Sequence, residues 1–92
     1  MNTIYKYRIA ETDVQLVNIP VGARILNVGL DPGGDLCLWA LVDKSRDPLP
    51  RTINIYGTGH PLPDDMTNLV YLGSVTMQRT RLVWHVFENT GA

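Results

Sequence analysis

Apolar and polar residues alternate with a period of two along most of this chain, and this pattern constrains the fold more than any other feature. Near the start, for example, Tyr5, Tyr7 and Ile9 share one face, while Lys6 and Arg8 share the other. Such alternation is typical of β-strands with one buried face, and no segment carries the 3.6-residue stripe of an amphipathic helix. The sequence therefore predicts an all-β protein.

Turn-forming residues divide the chain into about seven short, mainly antiparallel strands. Short strands separated by turns rich in glycine, proline and aspartate favour a small sandwich or an open barrel. A chain of 92 residues is long enough for one hydrophobic core, so we expect a single β domain over residues 1–92. The strands are predicted at residues 3–9, 14–19, 25–30, 36–42, 51–57, 69–77 and 82–87.

Three of these strands carry more specific predictions. The run 36–42 is apolar on both faces, which predicts a central strand that is covered on both sides. The turn at 31–35 combines proline and two glycines, and it is expected to close a hairpin onto that strand. Gly73 lies within a strand and indicates a bulge or a close backbone approach. In the third strand, one face is predicted to hold Leu26, Val28 and Leu30.

The remaining segments are assigned by their polarity. Residues 43–50 are polar and contain two prolines, so they are predicted to form a loop. Residues 88–92 are predicted to be a frayed tail.

The charge of the chain argues against nucleic acid as a partner. The net charge is −1, and the eight basic residues are scattered, so no direct DNA binding is expected. The basic residues that lie near one another are interpreted as solvated turns: Lys44, Arg46 and Arg51, and then Arg79 and Arg81. A charge near zero also makes self-association easier, and we expect a homo-oligomer.

A single cysteine and the absence of long apolar segments indicate a cytoplasmic protein. Cys37 lies in the most apolar run, so a buried thiol is favoured over a reactive one, which fits a reducing compartment. The first residues lack an apolar core of signal-peptide length, and the run 36–42 is too short to span a bilayer as a helix. No membrane association is expected.

The loop at residues 57–65 is the most distinctive segment in composition. Pro61 pushes His60 into an extended backbone conformation, so its ring is carried on a stiff segment. A histidine near the carboxylates of Asp64 and Asp65 has the chemistry of a general base or a metal ligand. The alternative, which the sequence alone favours, is a loop histidine that bonds a backbone carbonyl and shapes the turn.

The glycines of this loop suggest a second type of contact. Consecutive N–H groups of Gly57, Thr58 and Gly59 can form a concave nest for a phosphate or carboxylate, and Tyr56 is placed to stack on a base. A turn without any ligand is the favoured alternative, because no helix follows and neither nucleotide-binding glycine motif is present. Asp64 and Asp65 can equally begin a one-turn helix. The predicted ligand-binding residues are Tyr56, Gly57, Thr58, Gly59, His60, Asp64 and Asp65.

No catalytic or metal site is predicted. His85 alternates with Val83 and Phe87 in an apolar strand and is interpreted as a histidine of the core or of a strand face. The spacing of His60, His85 and Cys37 does not fit a zinc site, and no cofactor is expected. The seven aromatic residues are interpreted as core or as a subunit interface.

Four segments together resemble a known family. They are Ile4-Tyr5-Lys6-Tyr7, residues 37–43 (CLWALVD), residues 56–65 (YGTGHPLPDD) and His85-Val86-Phe87-Glu88. The chain resembles, from residue 3 to residue 88, a family of small uncharacterised proteins encoded by bacteriophages and prophages. The resemblance implies a phage-borne origin and the host cytoplasm as the place of action.

The expected function is therefore that of a phage-encoded accessory binding protein without enzymatic activity. Such a protein would antagonise host antiviral defence by blocking a host protein or by sequestering a small signalling nucleotide. Two alternatives remain open. One is a small phosphoester hydrolase that uses His60 with Asp64 or Asp65, and the other is a structural module for self-assembly.

Overall fold

The computed structural model describes residues 1–91 as two antiparallel β-sheets. A three-stranded sheet has the order β1-β4-β3, and a four-stranded sheet has the order β2-β5-β7-β6. The all-β prediction with seven strands is confirmed, and the arrangement is that of a small sandwich. The strands are β1 (Asn2–Arg8), β2 (Val14–Pro20), β3 (Arg24–Leu30), β4 (Leu36–Asp43), β5 (Pro48–Gly57), β6 (Leu69–Thr76) and β7 (Val83–Asn89).

The core lies between the two sheets and follows the period of two. On β4, every second side chain points inward, and all four of these side chains are buried. Each large aliphatic side chain that is fully buried contributes about 1.5–3 kcal/mol through the hydrophobic effect. The buried core side chains from the central strands of the two sheets are Leu36, Leu38, Ala40, Val42, Ile53, Ile55 and Val86.

The strand β4 is central, as its apolar sequence predicts, but only its inner face is closed. Cys37 is fully buried, whereas Trp39 and Leu41 on the same outer face stay partly exposed. Trp39 lies beside Gly29 of β3, where an added Cβ atom would be 3.7 Å from the indole ring, an ordinary contact distance. The prediction that β4 is covered on both sides is therefore wrong, because neighbouring side chains alone shield its outer face.

A bulge in β3 changes which residues face the core. The pairing with β4 shifts between Ile25 and Asn27, so Leu26 is an extra residue in the strand. Ile25 packs against the core, whereas Leu26 is exposed. The prediction that Leu26 shares a face with Val28 and Leu30 is wrong, since an extra residue reverses the alternation.

A second bulge, in β6, is confirmed at the predicted position. The pairing with β7 shifts between Tyr71 and Gly73, and Gly73 has a φ of 149°. Leu72 and Val75 pack on the core, and Tyr71 faces outward with 53% of its surface exposed. Without this extra residue, Tyr71 would share the inward face with Val75, so the bulge decides the orientation of its ring.

The strand β5 begins earlier than its prolines suggested. Pro48 and Pro50 belong to the strand and pair with β2, although residues 43–50 were predicted to form a loop. The strand β7 pairs with β5 only from Thr52 onward. The start of β5 therefore has only one neighbouring strand. Because its other side is unpaired, a proline there can lack an N–H group without the loss of a hydrogen bond between strands.

An ion pair fixes the end of the chain that was predicted to fray. Glu88 belongs to β7 and accepts hydrogen bonds from Arg51 at 2.6 and 2.7 Å. Arg51 also donates to the carbonyl of Ala23 at 2.6 Å, so it is a strand residue with three hydrogen bonds to two partners and not part of a solvated turn. The tail prediction is wrong for residues 88–90, because Thr90 also bonds Asn68. Ala92 lies outside the described residues.

The turn between β3 and β4 closes the predicted hairpin around Asp31. Its Oδ1 accepts the backbone N–H groups of Gly33 and Asp35, and its Oδ2 accepts from Lys6 Nζ at 2.9 Å. The hydrogen bond from Lys6 and those from the backbone lower the pKa of Asp31 from 3.8 to about 2. This carboxylate therefore ties β1 to the turn.

Asp31 is expected to make the fold more sensitive to acid. Its folded pKa lies below the unfolded value, so its contribution is fully present above about pH 4 and is lost as the pH falls towards 2. Asp31→Asn keeps an oxygen for the two backbone donors but removes the charge. The thermal midpoint of this variant should fall less between pH 4 and pH 2 than that of the wild type. Equal losses in both proteins would contradict this role.

Gly73 is expected to tolerate no side chain. A Cβ atom at this position would lie 2.9 Å from Val28 Cγ2, and its φ of 149° is unfavourable for other residues. Gly73→Ala should therefore lower the free energy of unfolding by about 1–3 kcal/mol, as measured by urea denaturation. If Val28→Ala does not relieve this loss in the double variant, contact with Val28 is not its cause.

Candidate functional site

A concavity of about 430 Å³ opens on the outer face of the four-stranded sheet. The loop that follows β5 supplies one side of it, and outward side chains of β5, β6 and β7 supply the other. This volume lies within the usual range of small-ligand sites. We call it the aromatic concavity, and its lining residues are Tyr56, Gly57, Thr58, Gly59, His60, Leu62, Tyr71, His85 and Phe87.

A tight turn places His60 at the rim of the aromatic concavity. The N–H of His60 donates to the carbonyl of Gly57 at 3.0 Å, and Gly59 occupies the third turn position with a φ of 84°. A positive φ at this position is typical of a type II turn and favours glycine. The imidazole lies against Gly57, where a Cβ atom would come within 2.8 Å of the ring. Two glycines are thus needed for the position of one histidine.

The backbone N–H groups of this turn are largely engaged within the protein. The N–H of Thr58 donates to the carbonyl of Val83 at 3.4 Å, and the N–H of His60 closes the turn. A nest for an anion needs successive N–H groups that are free to converge on it. The residues predicted to form such a nest do line the concavity. However, the N–H groups of Thr58 and His60 already donate to carbonyl groups within the protein.

Three aromatic rings form the floor and two sides of the concavity. Phe87 lies at the base and is only 8% exposed. Tyr56 packs against it with a centroid distance of 5.6 Å and an interplanar angle of 79°. Tyr71 packs against it at 5.1 Å and 64°. These edge-to-face contacts are a favoured arrangement of aromatic pairs, so the three rings stabilise one another.

Hydrogen bonds hold both tyrosine hydroxyl groups. Asn54 Nδ2 donates to the hydroxyl of Tyr56 at 3.2 Å, and the hydroxyl of Tyr71 lies 3.1 Å from His85 Nδ1. The other ring nitrogen of His85, Nε2, lies 2.7 Å from Thr58 Oγ1. A neutral imidazole satisfies both contacts, since one nitrogen donates and the other accepts. The rings are therefore oriented before any ligand arrives.

A buried amide lies next to these rings. Asn54 is 7% exposed, on the same face of β5 as Tyr56, and it pairs with Phe87 across the sheet. Within residues 1–91, its Oδ1 atom is buried without a hydrogen-bond partner. Burying an unpaired acceptor costs free energy. The fold nevertheless keeps this polar group beneath the aromatic face.

The two aspartates of the predicted site lie outside the lining. Asp64 and Asp65 are exposed, and the structure does not bring them into the concavity with His60. Asp65 accepts hydrogen bonds from the backbone and hydroxyl of Thr67, and these lower its pKa. The one-turn helix considered for these residues is not formed, because Asp65 instead caps a turn.

Comparison with known proteins identifies a family. A family model described as a domain of unknown function, DUF7352, matches residues 1–92. The chain belongs to the DUF7352 family. None of the curated proteins and none of the solved structures matches it.

The site of this DUF7352 domain contains residues that the sequence analysis did not assign to it. His85, Tyr71, Phe87 and Leu62 line the concavity together with five of the seven predicted residues. His85 and Phe87 are the neighbours of Val86 on β7, and Val86 faces the core. Because side chains alternate along a strand, both neighbours face outward. Tyr71 carried no such signal, because its face depends on the bulge at Gly73.

Two further features are absent from the described part of the DUF7352 chain. Residues 1–91 contain no group of three His, Cys, Asp or Glu side chains that could hold a metal ion. The same residues form no helix long and apolar enough to cross a membrane.

Gly57 is expected to be coupled to His60. Gly57→Ala should displace the imidazole, because the new methyl group would lie within 2.8 Å of the ring. The ring is exposed and free to move, so the loss of stability should stay within about 0.5 kcal/mol. NMR shifts of the His60 ring protons measure the displacement. Unchanged shifts of the His60 ring protons in Gly57→Ala would exclude the coupling.

Proposed function

We propose that this DUF7352 domain is a non-enzymatic binding protein that engages its partner at the aromatic concavity. The observation that carries this proposal is the pre-arranged set of rings, in which Tyr56 and Tyr71 are each held by a hydrogen bond at the hydroxyl. Aromatic side chains that are already ordered lose little entropy on binding, which favours affinity. Tyrosine is also enriched among residues that dominate binding energy.

The proposed setting is a bacterial cell infected by a phage. The resemblance of the segments around Tyr5, Trp39, His60 and His85 to phage and prophage proteins supports this setting. There the protein would act in the host cytoplasm as an accessory factor that antagonises antiviral defence by blocking a host protein.

Blocking a protein is favoured over sequestering a nucleotide. None of the described residues that line the concavity is a lysine or arginine, and two backbone N–H groups of the turn are already engaged. A nucleotide phosphate bound there would lack a lysine or arginine partner, and desolvating it without compensation is costly. An uncharged group of a protein partner meets no such penalty.

The hydrolase alternative receives less support from the positions of its residues. It requires His60 to act with Asp64 or Asp65, and the aspartates do not line the concavity with it. Hydrogen bonds from Thr67 already occupy Oδ1 of Asp65.

Self-association stays a prediction. Val14 and Leu16 on the edge strand β2 are both exposed, and an exposed apolar edge favours pairing with a second copy. Such a contact would be compatible with partner binding at the aromatic concavity.

The proposal predicts a partner whose capture depends on the aromatic concavity. Tagged wild-type protein expressed in a bacterial host should recover a specific host protein. Tyr71→Ala should reduce that recovery at least about tenfold, since removing a central aromatic contact costs 2 kcal/mol or more. Ile4→Ala, which truncates an exposed side chain on the other sheet, is the matched control and should leave recovery unchanged.

Two results would contradict the blocking of a host protein at this concavity. One is recovery that is equal for wild type and Tyr71→Ala although both fold, as judged by their thermal midpoints. The other is a rise of several degrees in the thermal midpoint with cyclic dinucleotides or ADP-ribose-type ligands, which would instead support nucleotide sequestration.

A further inference from the structure

Two rings of the aromatic concavity stand at steep angles to the third. Tyr56 and Tyr71 make interplanar angles of 79° and 64° with Phe87. Ring faces carry the negative part of the aromatic quadrupole, and ring edges carry the positive part. A group held among three such rings is therefore exposed to several π-systems at once.

The pairing of the strands sets the width between the two tyrosines. Tyr56 belongs to β5 and Tyr71 to β6, and β7 lies between these strands. Tyr56 pairs with His85 and Tyr71 pairs with Phe87, so the two tyrosines are also offset by two residues along β7. Cation–π attraction is significant only when a cation lies within about 6 Å of a ring centroid, so the cation must contact the lining rings directly.

The lining of the concavity holds no lysine or arginine that would repel a cation, as far as the described residues go. The segment 52–78, which supplies most of the lining, also contains no lysine or arginine, and its one histidine, His60, lies at the rim. Both contacts of the His85 ring are satisfied by the neutral imidazole, so its hydrogen bonds do not require a positive charge.

We propose that the aromatic concavity binds a methylated ammonium group, either quaternary or nearly so. Such a cation carries its charge on apolar methyl groups, so it loses little hydration on entering a pocket lined by aromatic rings. It needs no hydrogen-bond partner, which matches a site whose hydroxyl groups are already engaged. Cation–π attraction from the rings then favours the bound cation.

This inference rests on the proposed function and names the chemistry of its ligand. The same group occurs in free choline-type compounds and in a trimethylated lysine side chain of a protein, and both would enter the concavity in the same way. A partner could also engage the concavity with a neutral side chain. In that case the proposed function would hold and the cation inference would fail.

Titration with a cation and its uncharged analogue tests the charge itself. The probes are tetramethylammonium, choline and 3,3-dimethylbutan-1-ol, in which carbon replaces the nitrogen of choline, at constant ionic strength. NMR titration of the full chain should show saturable shifts of Tyr56, Tyr71 and Phe87 with both cations. The neutral analogue should bind at least about tenfold more weakly, which corresponds to the loss of cation–π attraction.

Two matched variants of Tyr71 test whether its aromatic ring is required for binding. Tyr71→Phe keeps the aromatic face and should retain choline affinity within about threefold. Tyr71→Leu keeps an apolar side chain but removes the π-system, so its affinity should fall about tenfold. Unchanged NMR signals from the core residues establish that each variant is folded.

The outcomes distinguish this inference from the proposed function. Equal binding of choline and its neutral analogue, or no shift at the three rings with either cation, would overturn the inference. Recovery of a host protein that depends on Tyr71 would then still support the function. If the cations bind as expected, comparison of choline with a trimethyl-lysine peptide assigns the source, because the natural form should bind more tightly.

Discussion

The bulge at Gly73 is the constraint on which the outer surface of this sandwich depends. One extra residue in β6 lets Leu72 and Val75 both reach the core, although an odd number of positions separates them. The same residue turns Tyr71 to the opposite face, where it meets Phe87 and His85. A backbone irregularity at one glycine thus supports the core and completes the candidate site at the same time.

The physical basis of sequence prediction explains where it succeeded and where it failed. Period-two alternation and turn chemistry were sufficient for seven strands, for the hairpin at 31–35 and for the irregularity at Gly73. They could not locate the bulge at Leu26, because no glycine marks it and both Ile25 and Leu26 are apolar. Likewise, the two prolines at the start of β5 predicted a loop. The strand tolerates them because this part of it pairs with β2 alone.

The candidate site was only half visible in the sequence for a related reason. The local segment from Tyr56 to His60 is contiguous, and its unusual composition drew attention to it. Tyr71, His85 and Phe87 come from strands that pairing brings beside it, and pairing is not encoded within any short window. The interpretation of the glycines as an anion nest also depended on which N–H groups stay free, and only the folded turn shows this.

The solitary thiol of this protein lies behind the same hairpin that Asp31 holds closed. Cys37 has no exposed surface, and burial raises its pKa, so the reactive thiolate is disfavoured in the native state. An alkylating reagent can therefore reach this sulfur only after the side chains that shield the outer face of β4 move away. The native chain carries its own reporter of opening at that face, read by mass from a single covalent tag, with no engineered label.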